Sequence, residues 1–200
     1  MSHNTGLHRR RFIRIASLSV FSLLTGGALQ ITEKNRTFLR PPGSLNESTF
    51  LSRCIKCQRC LQVCPSRVIV PISLNDSIRS VSTPTLNFKH GYCDLCMECM
   101  SVCPTGAIQP MNKEDIKLGN AVVIKEACIA WDWGGCTKCA AECPENAIQL
   151  DNEKRPVIDQ NKCNGCGLCE FICPSSSLRA YNANIKSKGI VVQPLNHRSA

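Results

Sequence analysis

Sixteen cysteines set out in four runs of one pattern leave this chain few ways to fold. The clearest run is Cys163–Pro174, CNGCGLCEFICP. It reads C-x2-C-x2-C-x3-C-P, the spacing of a bacterial iron–sulfur ligand run. Three thiolates three residues apart wrap one corner of a cubane cluster. Gly165 and Gly167 carry no Cβ, which lets the backbone pass close to it. Cys169 and Cys173 stand four apart, so one helical turn points both to the same side. Pro174 stops that turn, having no N–H to continue the ladder. The fourth cysteine of such a run usually ligates the other cluster of a pair, so one copy implies a second.

The other runs are Cys54, Cys57, Cys60, Cys64 with Pro65; Cys93, Cys96, Cys99, Cys103 with Pro104; and Cys128, Cys136, Cys139, Cys143 with Pro144. With Cys163, Cys166, Cys169 and Cys173 they use every cysteine, and first cysteines recur at steps of 39, 35 and 35 residues. The repeat extends further. After each Cys-Pro come a small turn and an apolar pair: Val68-Ile69, Ala107-Ile108, Ala147-Ile148, Ser177-Leu178. Before three runs come short apolar or alternating stretches, Leu86/Phe88, Val122-Val123-Ile124 and Val157-Ile158. Ile148–Leu150, a turn over Asp151–Arg155, and Val157–Asp159 read as a β-hairpin. Each unit is thus strand, cysteine loop, helical turn, strand. Two units make a bacterial dicluster ferredoxin-like module, and the class is α+β, with modules expected over residues 51–110 and 121–182. The tight gap between Cys143 and Cys163 favours pairing runs three and four, and one and two; a nested pairing, one with four and two with three, stays open. Pro71–Pro84 reads as a surface loop at a module edge. The third run carries an insertion, Ile129–Gly135, with Trp131 and Trp133. It reads as an indole lid over a cluster, or as a docking surface.

The sixteen cysteines therefore predict four 4Fe–4S clusters. Zinc sites show paired CxxC rather than three cysteines at spacing three. Adjacent cysteines this regular make poor disulfide partners, and the absence of C-x-x-C-H removes c-type haem. No G-x-G-x-x-G or P-loop is present. His3, His8, His90 and His197 are scattered and read as surface or tail residues, while Met97, Met100 and Met111 read as packing. No catalytic constellation is visible, and a cluster with four protein thiolates has no open position for substrate; this argues for one-electron transfer by a carrier that is not itself an enzyme. Aromatics make up only 5% of the chain, so the clusters are expected to supply much of the folding free energy. The formal charge of +9 invites a nucleic-acid reading, which does not hold. Four arginines lie in an N-terminal signal, leaving +5, and four clusters of −2 each bring the loaded chain to about −3.

Residues 1–31 read as an export signal or membrane anchor. Arg9-Arg10-Arg11-Phe12-Ile13-Arg14 has the form of a twin-arginine box, and Ile15–Ile31 suits its apolar region. The twin-arginine route exports chains already folded round their cofactors, which reconciles many cysteines with export. A basic arm before an amphipathic helix is the plainer reading. Residues 32–50, with Leu39-Arg40-Pro41-Pro42-Gly43-Ser44-Leu45, read as a linker in extended conformation, or as a docking strip for a membrane partner. Residues 183–200 read as a tail.

The twin-arginine start, the Arg40-Pro41-Pro42-Gly43 segment and the four cysteine runs together resemble the NapG/MauM family of ferredoxin-type proteins. The resemblance spans Arg9 to about Leu178. It implies a periplasmic electron carrier associated with the inner membrane, fed by a membrane quinol-dehydrogenase subunit and passing electrons to a periplasmic oxidoreductase or cytochrome, nitrate reductase foremost. An electron-wire subunit of another molybdenum oxidoreductase, and a zinc- or disulfide-held structural protein, are the alternatives. Three details depart from the family: Cys57-Gln58-Arg59-Cys60 lacks a glycine, Cys96-Met97-Glu98-Cys99 carries no extra residues, and the C-terminal tail is short.

Overall fold

Short elements are what this sequence dictates, because a cysteine or proline interrupts nearly every apolar run. The computed structural model describes residues 37–178 and 188–195. Arg9, Arg10 and the rest of the expected signal lie outside the described residues, as do His3, His8 and His197. Helix α1 (Glu47–Arg53) starts where the Asn46 side chain accepts the Thr49 N–H at 3.0 Å, an N-cap. Its Phe50 is fully buried. Helices α2 (Arg59–Val63), α3 (Glu98–Ser101), α4 (Ile129–Asp132), α5 (Lys138–Ala141), α6 (Leu168–Ile172) and α7 (Ser175–Leu178) follow, none longer than five residues. Among the described residues no helix is long and apolar enough to cross a membrane.

The strands form three antiparallel pairs. Strand β1 (Ile69–Pro71) pairs with β2 (Pro84–Leu86), β4 (Ile148–Leu150) with β5 (Pro156–Ile158), and β3 (Asn120–Val123) with β6 (Ile190–Gln193). The first two are hairpins joining the two cysteine runs of a half. The third closes the second half from outside, Ala121 opposite Val192. In the first half a bridge between Ser44 and Ile108 does the same task. The hairpin at 148–158 stands where alternation placed it. The Pro71–Pro84 segment is the connection within β1–β2. It exposes Leu74 and Ile78 but is pinned by buried Ile72, Ser80 and Thr83.

Three segments depart from the sequence reading. Residues 37–50, expected as a linker, are packed into the body. Gly43 has a left-handed φ of +77°, and a Cβ there would lie 2.1 Å from the Gln109 carbonyl oxygen, so both backbone and space call for glycine. Arg40 reaches back to Glu47 (2.9 Å) and donates to Thr83 Oγ1 (2.8 Å) and the Pro84 carbonyl (2.7 Å), its guanidinium 4.6 Å from the Phe50 ring centroid. The expected tail contributes β6. The apolar pair after the fourth run, Ser177-Leu178, is helical and not a strand. The reason is local. After the first three Cys-Pro steps the third residue beyond the cysteine, Arg67, Gly106 or Asn146, has positive φ and turns the chain back. Ser176 is helical instead, so the strand role passes to residues 190–193.

Candidate metal centres

Each cysteine run is a loop whose backbone is bent twice to face its sulfurs inward. In runs one, two and four the residues on either side of the second cysteine lie in the left-handed region: Lys56 and Gln58, Leu95 and Met97, Gly165 and Gly167. Alternating hand turns successive N–H groups into one concavity, a site for anionic sulfur. The donors are visible: the Cys93 sulfur accepts from the Leu95 N–H, that of Cys96 from Glu98, and that of Cys166 from Leu168. Run three differs, for its insertion forms α4 and positive φ falls on Gly134 and Gly135. There Cys128 accepts from the N–H groups of Ala130 and Trp131.

The fold collects the sixteen cysteines into four sets. Cys54, Cys57, Cys60 and Cys103 line one cavity. Cys93, Cys96 and Cys99 meet Cys64. Cys128, Cys136 and Cys139 line a cavity with Cys173, and Cys163, Cys166 and Cys169 line one with Cys143. Every run thus gives three cysteines to one set and its fourth to the set of its partner. Runs one and two pair, as do three and four, so the nested alternative is ruled out. The helical turn after each third cysteine does not bring the fourth to the same side, as the spacing of four suggested: Cys64 and Cys173 lie in extended backbone at the helix end and join the partner's set.

Electrostatics make these sets costly without a cationic centre. Burial first, then the neighbouring thiolates, push Cys60 up to about 11, and Cys99 and Cys139 up to about 12. Cys169 is raised further by the same causes. Cys103 runs the other way. Burial raises it, but the N–H groups of Ile108, Thr105 and Ala107 and the Thr105 hydroxyl outweigh that and lower it. The donor set fits a 4Fe–4S cubane: four soft sulfurs round an apolar cavity walled by groups such as Phe50 and Ile108, or Ala121, Ile148 and Val192. Among the described residues no three His, Cys, Asp or Glu side chains close on a single ion. All sixteen cysteines are unbridged thiols.

Several roles were not legible beforehand. Gly165 and Gly167 do not simply admit a cluster. A Cβ on Gly167 would sit 2.1 Å from the Phe88 ring, and one on Gly165 2.4 Å from the Gly119 nitrogen. Between them runs a backbone bond from Cys93 N–H to the Cys166 carbonyl at 2.8 Å. Runs two and four therefore meet across a seam between the halves. Trp131 is half-buried between Lys125 Nζ (4.3 Å from the ring centroid) and the Arg155 guanidinium (4.5 Å), while Trp133 is 62% exposed. The first indole is thus held between two cations and the second is open to solvent. Met100 is buried, Met111 and His90 are exposed.

Comparison with known proteins agrees with this geometry. The 4Fe-4S dicluster domain family matches residues 53–107 and 127–177. The ferredoxin-type protein NapG of Escherichia coli K12 is 31% identical over 187 residues, covering 82% of this chain and 80% of that protein. The ferredoxin-type protein NapF of Haemophilus influenzae is 32% identical over 176 residues, covering 86% and 92%. The methylamine utilization ferredoxin-type protein MauM of Methylobacillus flagellatus is 35% identical over 151 residues, covering 68% and 64%.

Proposed function

The chain belongs to the ferredoxin-type proteins built on 4Fe-4S dicluster domains, and from that premise we propose that it is a one-electron carrier with four such clusters. The observation that carries the proposal is the division of sixteen cysteines into four sets of four by reciprocal exchange between paired runs. Cys54, Cys57, Cys60 and Cys103 hold the first cluster; Cys64, Cys93, Cys96 and Cys99 the second; Cys128, Cys136, Cys139 and Cys173 the third; Cys143, Cys163, Cys166 and Cys169 the fourth. When bound, each supplies a single-electron redox step. The chain's own part is to bury the sulfurs, to aim N–H groups at them and to exclude water, all of which tune potential. Four thiolates per set leave no position for substrate, so the protein conducts and does not catalyse. The seam at Cys93 and Cys166 brings the second and fourth sets together and is the crossing point between halves.

The reading extends to the cell. Arg9 and Arg10 direct export by the twin-arginine machinery, and the folded protein works in the periplasm beside the inner membrane. It takes electrons from a quinol-dehydrogenase subunit and passes them to a periplasmic oxidoreductase or cytochrome, nitrate reductase foremost. The twin-arginine form of residues 9–14 motivates the export and the location, and the ferredoxin-type relatives support the electron-transfer role.

Anaerobically purified protein should contain about 16 iron and about 16 sulfide per chain, with interacting signals in the reduced EPR spectrum. Zinc, or about half that iron, would overturn the four-cluster reading. Quinol-dependent nitrate reduction that is unchanged in a deletion strain would remove the nitrate assignment alone.

A further inference from the structure

The four cysteine loops are not equally covered. Residues Ile55–Arg59 of run one are exposed without a break, Cys57 included, and Ile55 is 64% exposed. In run four Gly165 is buried against Gly119 and Gly167 against Phe88 of the other half, and in run three Cys128–Ala130 are buried. Cys96 of run two is exposed, but its loop carries Asp94 and Glu98. The loop of run one carries Lys56 and Arg59, and Arg53 precedes it, all three exposed. No ion pair among the described residues takes up these charges. They are not needed to neutralise the set beneath, because the matching set of run two does without them. Beside the loop an open groove runs between α2 and α3, lined by Arg59, Gln62, Val63, Ser101, Val102 and Pro104. Cys103, a member of the same set, lines it too.

We propose that this face, Ile55 flanked in sequence by Arg53, Lys56 and Arg59 with the groove alongside, docks an acidic one-electron redox protein over the set Cys54, Cys57, Cys60 and Cys103. This rests on the carrier reading. An apolar centre inside a charged rim is the build of a transient protein interface, and the sign of the rim selects an acidic partner and speeds encounter. One electron passes between the partner's centre and the group held by this set. One is oxidised and the other reduced; no bond is made or broken and no proton moves. A single apolar residue is too little to seat in a bilayer, which favours a protein over an anionic membrane.

The test uses full-length, anaerobically purified protein. Iron and sulfide are counted first, and their absence in the unsubstituted chain would fail the carrier reading rather than the docking one. Binding of oxidised flavodoxin, an acidic one-electron protein, is then measured by titration calorimetry at low and physiological ionic strength. Electron transfer from its hydroquinone is followed by stopped flow. We expect affinity and rate to fall with salt. In Arg53→Glu/Arg59→Glu both should drop by about tenfold or more and lose their salt dependence, with iron content unchanged. Lys113→Glu, an exposed lysine away from run one, should stay within about twofold. A double variant with unchanged affinity and rate would overturn the proposal. So would a double variant that lost only its sedimentation with phosphatidylglycerol vesicles, which would assign the face to a membrane.

Discussion

At the scale of single residues, the exchange of fourth cysteines makes a prediction that sequence neighbours would not suggest. Cys64 belongs with Cys93, Cys96 and Cys99, not with its own run. Cys64→Ala combined with Cys93→Ala should lose no more iron than either alone, because both strike one set. Cys64→Ala with Cys54→Ala should lose twice as much, as independent sites do. Iron and sulfide analysis of the four proteins decides it, and equal losses in the two doubles would refute the pairing. The thiols also set a direction with pH. With Cys60, Cys99 and Cys139 pushed up to about 11, 12 and 12, these three thiols are protonated at neutral pH in the metal-free protein and their ligation expels protons. Reconstitution should therefore need less iron as pH rises from about 6.5 to about 8.5. A midpoint independent of pH would mean the sulfurs are not the ligands.

Among the elements, β6 depends on one carboxylate. Glu170 lies inside run four, and its Oε2 accepts the Val192 N–H at 2.6 Å. Lys188, at the start of that strand's approach, donates to the carbonyls of Glu170 and Phe171 at 2.6 and 2.8 Å, capping α6. Ser175 Oγ takes the Gly189 N–H at 2.6 Å and lies 3.2 Å from the Cys173 sulfur. Burial raises the Glu170 carboxyl above its usual range, opposed by the Val192 N–H and then Lys188. Glu170→Ala strips the Val192 amide of its partner and should cost about 1–3 kcal/mol. Glu170→Gln keeps an acceptor there and should recover most of it. Thermal unfolding at constant iron content measures both, and equal losses would show that the hydrogen bond is not what holds β6.

Across the whole molecule, the halves are joined where two cysteine loops touch. Gln58 and Gly167 hold the same position in their runs, with φ of 62° and 82°. Gln58 is exposed; Gly167 faces the Phe88 ring of the other half. A methyl at position 167 must displace that ring, so Gly167→Ala should destabilise by about 1–3 kcal/mol. Gln58→Gly removes a left-handed non-glycine residue and should leave stability unchanged or raise it by up to about 1 kcal/mol. Denaturant unfolding of the loaded proteins distinguishes them. Equal effects would mean that backbone hand alone, and not the seam, sets the demand for glycine at 167.

The sequence by itself determined what is local in this protein. Cysteines three apart must share a loop, a cysteine four further on must sit one helical turn away, and alternation from Ile148 to Ile158 must make a hairpin. Those constraints act within a few bonds, so spacing reveals them. Which runs pair was decided only by the tertiary structure, since the spacing after each third cysteine is the same whichever run receives the fourth. The same holds for residues that act at long range. Arg40 looked like part of a spacer until Glu47, Thr83 and Pro84 came round to meet it. Residues 190–193 looked like tail until Asn120–Val123 left an open edge for them to fill. Gly167 looked like a concession to the cluster, and is shaped as much by Phe88. Packing between distant segments leaves no period in the sequence, and so the seam, the closing strand and the half-buried arginine appear only when the chain is folded.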